Sequence, residues 1–279
     1  MTPADFDFVA QLLKRRSGLV LNSDKLYLLE SRLGPVARRH GLAGLDAIAA
    51  KLKAGDEALA REVTEAMTTN ESFFFRDKTP FDHFEKLMLP ALLKSRAASK
   101  RLRIWCAAAS TGQEPYSLAM ILKEKAALFK DWRVDIIGTD LSNEVLTRAK
   151  TGLYSQFEVQ RGLPIQLMVK YFTKERDQWR IKDELRSMVE YRQMNLLDSF
   201  VGLGTFDIVY CRNVLIYFDE ATKRGILERV AQLLPDDGYL LLGAAETVVG
   251  ITNAFSPLEG AQGVSVKAGA KAGQKAAVA

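Results

Sequence analysis

The chain carries only two cysteines and two histidines in 279 residues. A disulfide framework is thereby excluded. His40 and His83 lack a cysteine or carboxylate companion at metal-ligand spacing, so no metal site is expected. No apolar run approaches the length that spans a bilayer. Met1 to Asp7 offers no basic start followed by an apolar core, as a secretory signal would. A cytoplasmic protein without membrane insertion is the expectation. Charge of one sign is also scarce: 39 Lys and Arg face 34 Asp and Glu, a net of +5, and the cations are interspersed. Nucleic acid is therefore not an expected partner. No interface signature stands out, and a monomer is expected. What remains, 48% hydrophobic and 26% charged residues, is ordinary globular composition with ample sequence for two small domains or one large one.

Arg103 to Ser117 reads Arg-Ile-Trp-Cys-Ala-Ala-Ala-Ser-Thr-Gly-Gln-Glu-Pro-Tyr-Ser. A β-like run, with Leu102, Ile104 and Cys106 alternating onto one face, enters a turn of small residues and leaves as a helix. Ser110, Thr111 and Gly112 leave little bulk, so a ligand can approach the backbone. Pro115 suits the first turn of a helix whose apolar face is Leu118, Ile121 and Leu122. This is the strand-turn-helix opening of a doubly wound nucleotide-binding fold, yet the turn is not GxGxxG, and a polyphosphate would miss its glycines. Glu114, at the mouth of the turn, would repel a pyrophosphate but could hold a cationic amino group. The next strand, Trp132 to Thr139, ends in Asp140, an acid placed for ribose hydroxyls. Ribose plus ammonium describes S-adenosylmethionine. A plainer reading makes Glu114 a helix N-terminal acid and Asp140 the cap of a helix from Leu141 to Lys150. Cys106 and Cys211 each end a predicted central strand. If those strands are neighbours the thiols could lie close; in a reducing cytosol they read as small packing residues.

Residues 1 to 67 read as a helical N-terminal domain. Phe6, Val9 and Leu13 form one stripe; Leu26, Leu29, Leu33 and Val36 form another, which Ser23 could cap and Gly41 could end. Short helices over 45–53 and 56–67 complete it. Arg15, Arg16, Lys25, Arg32, Arg38 and Arg39 could share a basic face, or lie on a solvated surface balanced by Asp5, Asp7 and Glu30. Residues 68 to 100 are linker and helix. Thr68 to Asp77 sets polar residues around Phe73 to Phe75. The aromatics are expected to anchor in a core and leave Asn70, Ser72 and Arg76 free; the competing reading is a structural turn with one buried salt bridge. The helix from Thr79 is interrupted at Pro90.

From 101 to 266 strands and helices alternate, at 101–107, 115–128, 132–139 and 142–150, hence a parallel sheet with right-handed crossovers. Residues 153 to 186 break the alternation with a helix near Pro164 to Tyr171 and a hairpin, Tyr171 to Ile181, turning near Arg176 to Gln178. This is an insertion at the sheet edge. Strands resume at 187–194, ending in Asn195-Leu196, and at Phe206 to Cys211, which runs into Arg212 to Phe218. Polar residues there lie in the ligand crevice of an open α/β sheet. Ile226 to Leu234 mark a helix, Tyr239 to Leu242 a strand, and residues 267 to 279 a tail expected to be disordered.

These segments together resemble the bacterial chemotaxis receptor glutamate methyltransferases, the CheR family. Asn70-Glu71-Ser72-Phe73-Phe74-Phe75-Arg76, Ala107 to Ser117, Gly138-Thr139-Asp140, Asn195-Leu196-Leu197 and Cys211 to Phe218 stand in the family's order, and the resemblance covers nearly all of residues 5 to 250. It implies an α/β fold class: a Rossmann-like S-adenosylmethionine-dependent methyltransferase domain with a small antiparallel β-subdomain insertion, preceded by an all-α N-terminal domain. It implies S-adenosylmethionine as cofactor, with S-adenosylhomocysteine as product. Glu114 would meet the methionine amino group and Asp140 the ribose. Asn70, Ser72, Arg76, Asn195, Leu196, Arg212 and Asn213 would line the cofactor pocket, and Arg76 and Tyr217 would stand at the methyl-transfer site as catalytic residues. The implied partner is the cytoplasmic helical region of methyl-accepting chemotaxis receptors, whose glutamates become methyl esters. The N-terminal basic face then acquires a purpose.

A glutamate side chain, with a reference pKa of about 4.3, is already ionised at neutral pH and needs no general base. The lack of a Cys-His or Ser-His-Asp arrangement fits that chemistry, in which binding and alignment supply most of the rate. Arg76 could orient the carboxylate; Tyr217 could align it by hydrogen bond or be a core aromatic. Family members that dock a pentapeptide at the receptor's carboxyl terminus tend to carry a longer, glycine-containing loop in the β-subdomain. Here Lys174 to Trp179 is short and lacks glycine, so independence of such a tether is expected. Enzymes that methylate exocyclic amino groups place Asn/Asp-Pro-Pro-aromatic after the fourth strand, where this chain has Arg212-Asn213-Val214-Leu215. A catalytically silent S-adenosylmethionine-binding regulatory module is the remaining alternative, against which Arg76 and Tyr217 argue.

Overall fold

The computed structural model describes residues 1–270. Four helices, α1 (Pro3–Ser17), α2 (Leu26–Arg39), α3 (Leu45–Lys53) and α4 (Glu57–Ala66), turn their apolar stripes into one core. Ser23 does not cap α2. Ser23–Lys25 forms a 3₁₀ turn, and the helix starts at Leu26 behind Lys25, which makes no side-chain cap bond. Gly41 does close it: its N–H reaches Arg38 O at 3.1 Å and that of Leu42 reaches Ala37 O at 2.9 Å. The expected basic face is thinned by pairing within the chain. Arg16 meets Glu57 at 2.8 Å and Arg39 pairs with Glu62. Arg32 donates to Met67 O at 2.6 Å and Thr68 O at 3.1 Å, fastening the point where the linker departs.

Beyond the linker, α5 (Thr79–His83) passes through one π-helical turn, Phe84–Met88, into α6 (Leu89–Ser95). The interruption expected at Pro90 is thus a wide turn just ahead of it, with the Leu89 N–H bonded to Phe84 O. A proline ring that would clash one turn back is accommodated without breaking the helix.

The chain then runs β1 (Arg101–Ala107), α7 (Gln113–Glu124), β2 (Arg133–Asp140) and α8 (Asn143–Thr151). The insertion follows as β3 (Leu153–Ser155), α9 (Gln156–Gln160), α10 (Ile165–Tyr171), β4 (Phe172–Glu175), β5 (Gln178–Ile181) and α11 (Asp183–Arg186), and its strands form a separate antiparallel sheet ordered β3-β5-β4. Next come β6 (Val189–Gln193), β7 (Ile208–Cys211), α12 (Glu220–Leu233), β8 (Tyr239–Leu242), β9 (Phe255–Pro257) and β10 (Val264–Lys267). The main sheet is ordered β6-β2-β1-β7-β8-β10-β9, parallel from β6 to β8 and antiparallel at β10 and β9. The β9–β10 pair is absent from the sequence expectations, because three- and four-residue strands carry too little alternation to see. Lys267, taken there as the start of the tail, closes β10, and the remainder from 271 lies outside the described residues. No helix among the described residues is long and apolar enough to cross a membrane.

Chain order reverses between β1 and β7, so the ligand crevice of the fold falls at their carboxyl ends. Successive residues of these strands face opposite sides. Leu102, Ile104 and Cys106 enter the core shared with α7 and the insertion; Trp105, Ala107 and Cys211 enter the one beneath α12. The strands of the two cysteines are neighbours, with Ala107 opposite Cys211, but the thiols sit on opposite faces and are not close.

Of the three linker aromatics only Phe74 is fully buried, edge-on to Tyr154 at 5.0 Å and Phe172 at 5.6 Å. Phe73 instead lies under two guanidiniums, Arg161 at 4.3 Å and Arg76 at 5.6 Å. The insertion presses on this segment at Gly162, where a Cβ would stand 2.1 Å from Phe74 O at a φ of +84°. Gly162→Ala is therefore expected to destabilise the protein by on the order of 2 kcal/mol or more, combining left-handed strain with a backbone clash. Gly55→Ala, at a φ of +86° with nothing within 4 Å, isolates the strain alone. Denaturant melts of both variants check this; equal losses would mean that the clash is absent.

Candidate cofactor-binding site

After β1 the chain turns over 108–112 with Ala108 and Ser110 at positive φ, 59° and 50°. Such conformations cost non-glycine residues about 1–3 kcal/mol each and need neighbours to hold them. The Ala109 N–H donates to Thr139 O at 2.9 Å, that of Ser110 to Asp140 Oδ2 at 2.9 Å, and Ser110 Oγ to Asn70 O at 2.8 Å. The turn is stitched to the end of β2 and to the linker at once. Gly112 faces away from the cleft: a Cβ there would lie 2.6 Å from Tyr191 Oη, so its bareness serves packing rather than ligand approach. Ala108, Ala109 and Ser110 line the cleft in its place.

Asp140 is buried at the end of β2, accepting from the Ser110 N–H and, through Oδ1, from the Ser142 N–H at 3.0 Å. Burial pushes its pKa up, against the backbone donors that lower it. The cap of α8 is Ser142, whose Oγ accepts from Val145 N, so the plainer reading of Asp140 as that cap fails.

Glu114 lies in the first turn of α7, its side chain 12% exposed. Its Oε2 accepts from Arg212 Nη1 at 2.8 Å. Arg212, 2% exposed at the end of β7, also donates through Nη2 to Asp77 Oδ2 at 2.7 Å and to Arg76 O at 3.0 Å. The competing reading of the linker, a turn with one buried salt bridge, is met only in part, since Asp77 pairs with the buried Arg212 but is itself 40% exposed. Burial raises the Glu114 pKa, and the Arg212 guanidinium works against that rise. Burial, then the Glu114 carboxylate, push the Cys106 thiol well up, keeping it protonated.

The remaining predicted residues come from three places. Arg76 donates to Glu71 O at 2.8 Å. Asn195, following β6, donates through Nδ2 to Arg16 O at 2.6 Å and accepts from the Leu197 N–H at 3.0 Å, while Arg229 holds the Leu196 carbonyl at 2.6 Å. Asn213, at a φ of 58°, and Tyr217 follow β7, and Tyr217 O accepts from the Val20 N–H at 2.9 Å. Asn70, Ser72, Arg76, Glu114, Asp140, Asn195, Leu196, Arg212, Asn213 and Tyr217 all line one cleft enclosing about 1020 Å³, part of it open to solvent. Sequence reasoning missed the wall given by the helical domain, Ser17, Leu19 and Met67. Their only signal was the polar interruption at the end of each helix.

Residues 4–68 match the family model described as CheR methyltransferase, all-alpha domain, and residues 70–264 that described as CheR methyltransferase, SAM binding domain. The chain belongs to the CheR methyltransferase family. It is 41% identical over 269 residues to chemotaxis protein methyltransferase 1 of Pseudomonas aeruginosa, covering 95% of this chain and 98% of that one. It is 38% identical to chemotaxis protein methyltransferase Cher2 of Pseudomonas putida with the same coverage, and 38% identical to the Vibrio parahaemolyticus chemotaxis protein methyltransferase over 92% of this chain and 94% of that one. A CheR fold of this kind is that of an S-adenosylmethionine-dependent methyltransferase, and the cleft fits the cofactor chemically. Asp140 keeps lone pairs for ribose hydroxyls, and the Asp77–Arg212–Glu114 cluster has a net charge of −1 that an ammonium would neutralise.

S-adenosylhomocysteine affinity is expected to fall as pH is lowered, beginning above the ordinary carboxylate range. With Glu114 as the expected partner of the ligand ammonium, binding needs it ionised, and burial raises the pH at which that charge is lost. Glu114→Gln is expected to weaken binding roughly tenfold at neutral pH and to flatten the profile between about pH 5 and pH 8. Calorimetric titrations across that range check this, and an identical slope in the variant would remove Glu114 from the binding site.

Proposed function

We propose that this CheR-family chain transfers the methyl group of S-adenosylmethionine to glutamate carboxylates on the cytoplasmic helical region of chemotaxis receptors, forming methyl esters. The observation that carries the reading is the convergence of all ten residues on one cleft at the switch point of the sheet. The relatives are named chemotaxis protein methyltransferases, which supports the pathway.

The bound sulfonium supplies an electrophilic methyl group. That methyl group would pass to an already ionised substrate carboxylate, with the thioether product leaving with the electron pair of the C–S bond, so no proton need move. The residues therefore act by holding rather than by acid–base exchange. Asp140 binds the ribose hydroxyls, Glu114 takes the ammonium, and the Leu196 carbonyl is kept in place by Arg229. Arg76 offers a guanidinium to the incoming carboxylate; its bond to Glu71 O and its seat on Phe73 restrain it from gripping that carboxylate too closely. Tyr217, also in the cleft lining, aligns the nucleophile.

Asp140→Ala is expected to lower affinity for S-adenosylmethionine and S-adenosylhomocysteine by a hundredfold or more, because two backbone donors lose their partner along with the ribose contact. Titration calorimetry reads this directly, and methyl transfer to a receptor cytoplasmic fragment tests the substrate. Wild-type protein that binds the cofactor yet never labels the fragment would sink the substrate assignment.

We further infer independence of a receptor pentapeptide tether. β4 and β5 are joined by Arg176 and Asp177 alone, leaving no long loop beside the small sheet. Titrating the purified protein with such a peptide is expected to give no heat, and micromolar affinity would overturn the inference.

A further inference from the structure

The segment after β8 holds a carboxylate that neither motif nor composition singled out. Glu246 Oε1 accepts from the N–H groups of Val214 at 2.9 Å, Leu215 at 2.7 Å and Ile216 at 3.3 Å. Its Oε2 accepts from those of Asn213 and Gly243, each at 2.7 Å. Four consecutive N–H groups, beginning at the left-handed Asn213, converge as in the backbone nests that bind anions, and here the anion is built into the chain. The four residues lie between Arg212 and Tyr217. Their path is therefore set by one side chain at the near end and by the Val20 N–H to Tyr217 O bond at the far end. Gly243 supports the same contact from below. A Cβ there would stand 2.7 Å from Asn213 Nδ2 and 2.8 Å from Glu246 Oε2.

We propose that Glu246 is a positioning residue for methyl transfer: its carboxylate holds Asn213–Ile216 in the one path that presents Tyr217 to the reacting carboxylate. This rests on the reading of Tyr217 given above. Charge-assisted bonds of this type are the strong ones, and a glutamine replaces them only in part: its carbonyl oxygen can accept from one set of donors, while its NH2 faces the N–H groups of the other.

The test compares wild type, Glu246→Gln and Gly243→Ala in the full chain. Hydrogen exchange is expected to show at least tenfold loss of protection at the Asn213–Ile216 amides in both variants, with β1 and β7 unchanged. Under saturating substrates at a temperature where each variant is folded, kcat on the receptor fragment is expected to fall at least thirtyfold, while S-adenosylhomocysteine affinity, which feels the change only through Asn213, falls by less than tenfold. Should Glu246→Gln not fold, Gly243→Ala carries the same readings. Unchanged exchange at those amides, or a loss of kcat matched by an equal loss of cofactor affinity, overturns the proposal. Wild type without turnover would count against the substrate reading and Tyr217's role, whereas the exchange result judges the Glu246 clamp on its own.

Discussion

The guanidinium of Arg212 is the interaction on which the rest of the cleft depends. Burying a charged group carries a desolvation penalty of several kcal/mol, offset only where geometry and hydrogen bonds are good. Arg212 meets that condition with Glu114 from α7, Asp77 from the linker and the Arg76 carbonyl. A helix, a strand end and an irregular segment are thus bound to one buried cation. The irregular segment gains the most, since it has no ladder or helix of its own to fix Arg76 and Asn70. Its second anchor is apolar, Phe74 between Tyr154 and Phe172 of the insertion. The two anchors share the work: the ion pairs fix where the linker lies along the cleft, and the aromatic fixes its depth.

The helical domain is a wall of the same cleft rather than an appendage. Asn195 holds Arg16 O, Val20 holds Tyr217 O, and Glu65 accepts from the Asn143 N–H at 3.2 Å, at the start of α8. The last contact sets a carboxylate where helix N–H groups are unpaired and the helix dipole is positive. Each of these bonds pairs the first domain with an element of the second that also lines or borders the cleft. Moving the helical domain would therefore alter the cleft directly, without any longer path of coupling.

Sequence legibility followed the length scale of the physics. The strand, small-residue turn and helix from Arg101 to Glu124 could be read because alternation, small residues and helical period are local. So could Asp140 and the polar residues after β7, because their place at strand ends follows from parallel topology. What stayed hidden was pairing across distance. Glu114 and Arg212 are 98 residues apart, and nothing near either one announces the other. Glu246 sits in Ala-Ala-Glu-Thr, indistinguishable from a solvated turn until its five donors are seen. The bareness of Gly112 was legible but its cause was not, since Tyr191 packs on it from a strand 79 residues later.

The placement of the site's own acids bears on the proposed chemistry in a final way. On the proposed reading a methyl donor strong enough to esterify a carboxylate lies against two carboxylates of the protein, and these must not react. Asp140 and Glu114 are each held differently: the first by two backbone N–H groups, the second by a guanidinium. Hydrogen bonds to an anion lower the energy of the lone pairs that would attack, and they oppose burial, which raises the pKa of both carboxylates. The incoming glutamate, by contrast, meets Arg76, whose guanidinium is already shared with Glu71 O and the face of Phe73. On the proposed reading the selectivity between protein and substrate carboxylates follows from how firmly each is held, and the same bonds that build the cofactor site keep it from being modified by its own cofactor.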